Sequence, residues 1–297
     1  MRLLPLALLL IVAPATAQDH KPLRPATADE QTARAAVVIA DYRFDDLLWE
    51  NDRIAHRIYG RALEAAEPPS SSGIDAWGKR VRWPFMDRQL RTGDQHADHG
   101  EGIDFYNVGT GRGTGGLGIW YDNKLWTSRN YVRPRILQSG PGVADFSVDY
   151  EPWPVDTLRT VRETRRFTLP VGTNFTRLTS TIASSIDAEI IVGIGISKRP
   201  INGNKLGEIR KEAAAARLSW WGPADGNKGR MAAAVIVDPA AFAGFAEDAD
   251  NYLILVRVRP GQPFVYYSGA AWDRGGDFAV QDDWNSYVDA QRPDFRP

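Results

Sequence analysis

Hydrophobic and polar residues alternate along much of the chain with the two-residue period of β-strands. Ala144–Trp153 shows this alternation clearly, and Leu158–Leu169 extends it over a longer, charge-rich segment. Short turn-forming stretches separate the alternating segments. The pattern predicts strands at Ile54–Tyr59, Ala144–Trp153, Leu158–Leu169, Thr173–Ile182, Ala188–Ser197, Tyr252–Val258 and Phe264–Ser268.

The remaining pattern predicts one hairpin and very few helices. Leu218–Asp238 is typical of a hairpin with its turn at Asp225–Gly229. A helix is predicted at Asp282–Gln291, where an aspartate can cap the first turn, and Lys211–Arg217 has a locally helical composition. Many short strands with few helices predict an all-β fold, a large antiparallel β-sandwich with one or two short helices.

Composition narrows the class of protein. The chain has 297 residues, which is enough for a substantial hydrophobic core, and it has no cysteine, so disulfides and thiolate metal sites are excluded. Its formal net charge is −1, with no basic block. We therefore expect no nucleic-acid partner.

The N-terminal residues have the pattern of a cleaved secretory signal. Arg2 precedes an uninterrupted apolar run that ends in the small residues Ala15 and Ala17. We expect residues 1–17 to be the signal peptide, residues 18–35 a flexible lead-in and residues 36–297 a single β-sandwich domain. The expected location is periplasmic or extracellular, and no later segment is apolar enough to span a membrane.

The segment QHADHGEGIDFYNVG, residues 95–109, concentrates groups that exchange protons. It contains two of the four histidines of the chain, together with several carboxylates. Imidazole exchanges protons near neutral pH, and neighbouring carboxylates can orient it. A polar surface loop with hydrogen-bonded histidines is the alternative. The predicted catalytic residues are His96, His99, Glu101 and Tyr106.

Metal and cofactor sites have weaker support. Nitrogen and oxygen ligands are present in this segment, but the spacing His-x-Asp-His matches no strict ligand motif, so we predict no metal. The glycines of RGTGGLG, residues 112–118, lack the Gly-Lys-Ser/Thr continuation of a phosphate loop. We therefore predict no cofactor.

Two further segments suit an acidic sugar. SGIDAWGKRVRWPF places cations beside aromatic residues, and an arginine can bind a carboxylate through two hydrogen bonds. Solvated cations at a strand edge are the alternative. Aromatic residues near the C-terminus could line a sugar groove or fill the core. The predicted substrate-binding residues are Arg53, Asp75, Lys79, Arg80, Asp98, Asp104 and Trp272.

Successive blocks of the chain resemble the family described as domain of unknown function 4861. The blocks are WENDRIAHRIYG, GIDAWGKRV, HADHGEGIDFYNVG and YYSGAAWDRGGDF, followed by WNSYVDAQ. The resemblance implies a secreted bacterial protein associated with pectin- and ulvan-type polyuronide degradation, and a β-sandwich of the galactose-mutarotase type. This chain departs from the family pattern at His56 and Gln95. The polar and glycine positions that match are Glu50, Asn51, Arg53, Tyr59, Asp75, Lys79, His96, Asp98, Gly100, Glu101, Asp104, Tyr106, Trp272, Gly276 and Asp277.

The resemblance implies action on uronic-acid-containing oligosaccharides. Elimination or dehydration needs a base, a cation to neutralise the carboxylate and an acid for the leaving oxygen. His96 or His99 could be the base and Lys79 or Arg80 the cation, with Tyr106 or Glu101 as the acid. A hydrolase would instead use Glu101 with Asp98 or Asp104. Glycan binding without catalysis is the third hypothesis.

Overall fold

A computed structural model describes residues 20–199, 201 and 206–297, so the expected signal peptide lies outside the described residues. Two short helices accompany the first sheet: α1 (Leu63–Ala66) and α2 (Met86–Leu90). The sheet has five antiparallel strands in chain order, β1 (Ala36–Ala40), β2 (Asp46–Glu50), β3 (Ala55–Ile58), β4 (Asp75–Lys79) and β5 (Gly102–Ile103).

A second sheet of eight antiparallel strands forms the body of the molecule. Its strands are β8 (Arg133–Ser139), β9 (Val143–Pro154), β10 (Thr160–Pro170), β11 (Phe175–Ser184), β13 (Glu208–Glu212), β14 (Arg217–Trp221), β15 (Met231–Val237) and β18 (Pro263–Trp272). Their spatial order is β13-β14-β15-β18-β11-β10-β9-β8.

A third sheet has five strands: β6 (Thr114–Tyr121), β7 (Lys124–Trp126), β12 (Ile190–Ser197), β16 (Phe242–Glu247) and β17 (Asn251–Val258). They lie in the order β16-β17-β12-β6-β7. One longer helix, α3 (Gln281–Ala290), follows the last strand. No helix of the described residues is long and apolar enough to cross a membrane.

The eight-stranded sheet is covered on both faces. Along β15, Ala233 and Val235 belong to the main core with residues of both five-stranded sheets, whereas Ala232 and Ala234 pack in a separate cluster with Trp284 of α3. The period-two side-chain pattern of a strand requires this division. The molecule is therefore a large antiparallel sandwich, with two smaller sheets on one face of the large sheet and α3 on the other.

The main core joins the first sheet to the second. The ring centroid of Trp49 on β2 lies 5.2 Å from those of both Phe146 and Phe167, and the latter two rings stack at 4.6 Å. All three side chains are buried. Aromatic packing of this kind fixes the first sheet, which carries much of the site, against the body of the molecule.

The strand predictions and the C-terminal helix agree with the structure, within a few residues at their ends. One segment differs: Lys211–Arg217 is not helical, because β13 and β14 pair across a four-residue turn at 213–216. Ala216 in that turn has a φ of 50°, a left-handed conformation that no α-helix contains. The structure has three short α-helices where one or two were expected.

Candidate active site

A cavity of about 420 Å³ opens between the end of β3, the segment at residues 95–109 and two later loops. Its wall is rich in ionisable and hydrogen-bonding side chains. The residues that matter chemically are Arg43, Arg57, Tyr59, Glu67, Gln95, His96, Asp104, Tyr106, Asn107, Arg199, Asp225 and Lys228.

The histidine-bearing segment is held in place by α2. The buried side-chain amide of Gln89 donates to the backbone carbonyls of Gln95, Ala97 and Gly102 over 3.0–3.2 Å. The backbone N–H of Asp104 also bonds to the carbonyl of Gln95 at 3.0 Å. One glutamine thus ties together three backbone carbonyls of an irregular loop.

A backbone carbonyl orients the ring of His96. Its Nδ1 lies 2.9 Å from the backbone oxygen of Asp104, which can only accept, so Nδ1 carries the proton. The other ring nitrogen, Nε2, is then unprotonated and lies 3.2 Å from the amide nitrogen of Gln95. The side chain is 63% exposed at the cavity. This tautomer can accept a proton from a bound molecule.

Tyr59 is the best placed proton donor. Its ring lies over the buried guanidinium of Arg57, with 5.0 Å from Cζ to the ring centroid, and its hydroxyl forms no hydrogen bond with a described residue. Burial, and then the charge of Asp75, hold the pKa of Tyr59 well above its ordinary value. The phenol therefore carries its proton at ordinary pH.

Tyr106 also lines the cavity, but its hydroxyl proton is already used in a hydrogen bond. Its hydroxyl donates to the backbone carbonyl of Gly113 at 2.9 Å, and burial raises its pKa. The ring packs against Trp220 with centroids 5.9 Å apart, and the guanidinium carbon of Arg199 lies 5.7 Å from the ring centroid on the cavity side. Tyr106 thus positions Arg199 and closes the wall.

Two cations of the wall are available to a ligand. Arg43 pairs with Glu67 at 2.7 Å, and Arg57 is bound by carboxylates behind the cavity. Arg199 and Lys228, by contrast, form no salt bridge with any residue in the described ranges. Lys228 is fixed through its backbone carbonyl, which accepts the indole N–H of Trp272 at 2.8 Å. The wall can therefore bind an anionic group through two cations.

Three other residues of the predicted site lie outside this cavity. His99 Nε2 bonds to the backbone carbonyl of Asp94 at 2.9 Å. Glu101 pairs with Arg88 at 2.5 Å and also accepts the indole N–H of Trp83. Asp98 forms a two-point pair with Arg80, which lowers the pKa of its carboxyl. Of the predicted residues in this segment, His96, Asp104 and Tyr106 line the cavity, whereas His99, Glu101 and Asp98 do not.

The other predicted substrate-binding residues also interact with groups of the protein and do not line the cavity. Lys79 is buried against Glu50 at 2.6 Å, and burial lowers its pKa. Arg53 pairs with Asp277 at 3.4 Å, and Arg80 lies over the ring of Trp272 at 4.8 Å. Trp272 itself is buried, and Asp75 lies behind the cavity on Arg57.

Sequence reasoning missed Arg57 and gave Tyr59, one of the positions that match the family, no role in the site, although their signal was present. Alternation along β3 places them on the opposite face from His56, the residue that drew attention. His56 stacks on Trp49 with ring centroids 5.1 Å apart and bonds to the carbonyl of Asp75 at 3.0 Å. Burial lowers its pKa to about 4, so it is a neutral core histidine. Arg199 and Lys228 had no local signal in the sequence.

No cluster of three or more histidine, aspartate or glutamate side chains that could hold a metal ion occurs within the described ranges.

Nearly the whole chain matches a known protein family. The family model described as domain of unknown function (DUF4861) matches residues 13–296. The chain belongs to the DUF4861 family. A curated relative, Uncharacterized protein P7 of Formosa agariphila, is 28% identical over 262 residues, which is 83% of this chain. The match spans 64% of the length of that relative.

Among solved structures, a protein from the human microbiome assigned as a kojibiose phosphorylase aligns with a TM-score of 0.43 and 6% identity. The alignment covers 87% of this DUF4861 chain and 36% of the other protein.

Proposed function

We propose that this DUF4861 protein is a carbohydrate-active enzyme that acts on uronic-acid-containing oligosaccharides by β-elimination, with dehydration as one form of that reaction. The base removes the proton on the carbon next to the carboxylate, and its electron pair forms a carbon–carbon double bond. The carbon–oxygen bond on the next carbon breaks, and the oxygen leaves with a proton from the acid. His96 Nε2 is the base and Tyr59 the acid in this scheme.

The orientation of His96 carries the proposal. A backbone carbonyl fixes the tautomer, and the ring, whose Nε2 contacts the side-chain amide of Gln95 at 3.2 Å, lines a cavity that also contains a protonated phenol. Arg199 and Lys228 supply the cationic groups that an elimination needs, because negative charge builds up on the substrate carboxylate as the proton leaves. Base, acid and cation thus meet in one cavity.

A hydrolase with paired carboxylates has less support. Such an enzyme needs two carboxyl groups free to act on either side of the bond. In this cavity Asp104 is bound by Arg57 and Glu67 by Arg43, each within 3 Å. Asp225 is then the one lining carboxylate that lacks a salt bridge to the described residues. An elimination needs no such pair of carboxylates. Its groups are His96 and Tyr59, with the cations Arg199 and Lys228.

Product masses decide between these reactions. The protein would be incubated with saturated and unsaturated uronate oligosaccharides from pectin, ulvan and glucuronan, and the products measured by mass spectrometry. Dehydration gives products lighter by one water, and chain-cleaving elimination gives two fragments whose masses sum to that of the substrate. Hydrolysis gives fragments that together contain one added water. Unchanged substrates that nevertheless bind would contradict the enzyme proposal and favour glycan binding.

We also propose that the enzyme acts outside the cytoplasm, since residues 1–17 have the pattern of a cleaved signal. N-terminal sequencing of protein from its host should begin near Gln18. An intact Met1 on a cytosolic product would contradict export.

A further inference from the structure

Four charged side chains lie together directly behind the cavity: Asp46, Arg57, Asp75 and Asp104. We call them the Arg57 cluster. Arg57 Nη2 is 2.8 Å from Asp75 Oδ2 and 2.9 Å from Asp104 Oδ2, while Nη1 is 3.7 Å from Asp46 Oδ2. Three carboxyl groups therefore share one guanidinium. Of the three carboxylates, only that of Asp104 belongs to a residue that lines the cavity, and its backbone oxygen holds His96.

Asp46 is the least satisfied member of the cluster. It is fully buried, and neither side-chain oxygen has a hydrogen-bond partner among the described residues. An ionised carboxylate in that position is costly, because it has lost water and gained no donor. Asp75, in contrast, accepts hydrogen bonds from Trp77 Nε1 and Arg57 Nε at 3.1 Å, which favour its ionised form.

The other charged groups facing Asp46 do not remove this cost. Arg43 lies near it but is paired with Glu67. Glu67 and Asp104 both repel an ionised Asp46. Burial, the largest effect, raises the pKa of Asp46 to about 6. Burial and the charge of Asp104 also raise the pKa of Asp75, to about 7, so the two carboxyls compete for one proton. The three donors on Asp75 Oδ2, which Asp46 lacks, favour placing that proton on Asp46.

We propose that Asp46 is a positioning residue that carries a proton in the active enzyme and acts on the site through Arg57. This inference rests on the proposed function. With Asp46 neutral, Arg57 balances two carboxylates and stays beneath the ring of Tyr59. Ionisation of Asp46 adds a negative charge beside a cavity that must admit an anionic substrate, and it draws Nη1 of Arg57 away from that ring.

The consequence is a loss of kcat/KM that begins as the pH rises through about 6 and continues past neutrality. The ionised cluster repels the substrate carboxylate and makes Tyr59 a weaker acid. Ionisation of Tyr59 itself cannot cause this loss, because its pKa lies well above the ordinary value for tyrosine. If ionised Asp46 abolishes activity, kcat/KM falls about tenfold between pH 7 and pH 8.

Asp46→Asn tests the assignment, because asparagine is similar in size and cannot ionise. We expect the variant to keep its kcat/KM between pH 7 and pH 8 while the wild type loses it. Asp145→Asn is the matched control: Asp145 is a largely buried aspartate of β9 that pairs with Arg166, and its variant should show the wild-type profile. An Asp46→Asn profile that parallels the wild type, at whatever absolute level, overturns the proposal.

A second measurement does not depend on turnover. Infrared spectra of the substrate-free protein should show a protonated-carboxyl band at pH 5 that is lost by pH 8, and Asp46→Asn should lack the corresponding intensity. Absence of a difference between the two proteins overturns the proposal even if the enzyme is active. If the band titrates as expected but no oligosaccharide reacts, the proton assignment stands and the proposed function has failed.

Discussion

The two histidines of the segment at residues 95–109 are three positions apart, yet only His96 lies in the cavity. His96→Ala should lower kcat by about 10²–10⁴-fold, the usual contribution of a positioned base. His99→Ala should retain turnover within a few-fold, because that ring contacts only a backbone carbonyl of its own loop. Turnover on a proven substrate, with thermal unfolding as the check on folding, measures both. Equal losses in the two variants would contradict the assignment of His96.

The two tyrosines of the cavity form a second matched pair. Tyr59→Phe keeps the ring over Arg57 but removes the proton, so kcat should fall at least about 10²-fold with little change in stability. Tyr106→Phe removes a buried hydrogen bond to the carbonyl of Gly113, which should cost about 1–3 kcal/mol of unfolding free energy. Its turnover should persist. Steady-state kinetics and urea unfolding separate the two effects, and the reverse pattern would make Tyr106 the acid.

Asp46 also makes the stability of the protein depend on pH. Its folded pKa of about 6 lies above the ordinary value, so the folded state favours the protonated form. The stability associated with that proton is present below about pH 4 and is lost as the pH rises through about 6. The unfolding free energy of Asp46→Asn should therefore rise relative to that of the wild type across this range, by up to about 3 kcal/mol above pH 7. Urea unfolding at several pH values measures the difference, which a constant offset would contradict.

Strand β3 shows how far local pattern predicts the site. Its alternation places Arg57 and Tyr59 on one face and His56 on the other, and the sequence alone contains that information. Which face meets the cavity depends on Trp49 of β2, which stacks on His56 and turns that face into the core. Such packing involves residues from other strands, so the sequence pattern could not choose between the two faces.

The strand order β2-β3-β4 in the first sheet also explains the contacts of Lys79. Its ammonium group reaches across the sheet to Glu50, whose other oxygen accepts the backbone N–H groups of Phe85 and Met86 at the start of α2. A cation beside aromatic residues in the sequence suggested substrate binding, but the lysine has a structural partner.

Loss of that partner should destabilise the first sheet. Lys79→Met leaves Glu50 buried and unpaired, which should cost about 3–5 kcal/mol of unfolding free energy. Adding Glu50→Gln should recover part of this loss, since no buried charge then remains. Denaturant unfolding measures the stabilities, and turnover per folded molecule should stay close to that of the wild type. A normal stability together with a raised KM would instead place Lys79 at the substrate.

At the scale of the whole molecule, the fold class was predictable because strand alternation is a local property. The composition of the cavity was not, because its wall combines segments near residues 43–70, 95–109, 199 and 225–228. Arg199 and Lys228 reach the wall through loops that follow β12 and β14, strands that belong to different sheets. Only the sandwich brings these loops to the same end of the molecule.

Strand β18 is the last strand of the described chain, yet it occupies the middle of the eight-stranded sheet, between β15 and β11. Until residues 263–272 have paired, β8–β11 and β13–β15 have no strand to join them. Each half of the sheet then exposes an unpaired edge, which can pair with another chain. Pairings this distant in sequence also form slowly. The large sheet therefore cannot close until this late strand has inserted between its two halves.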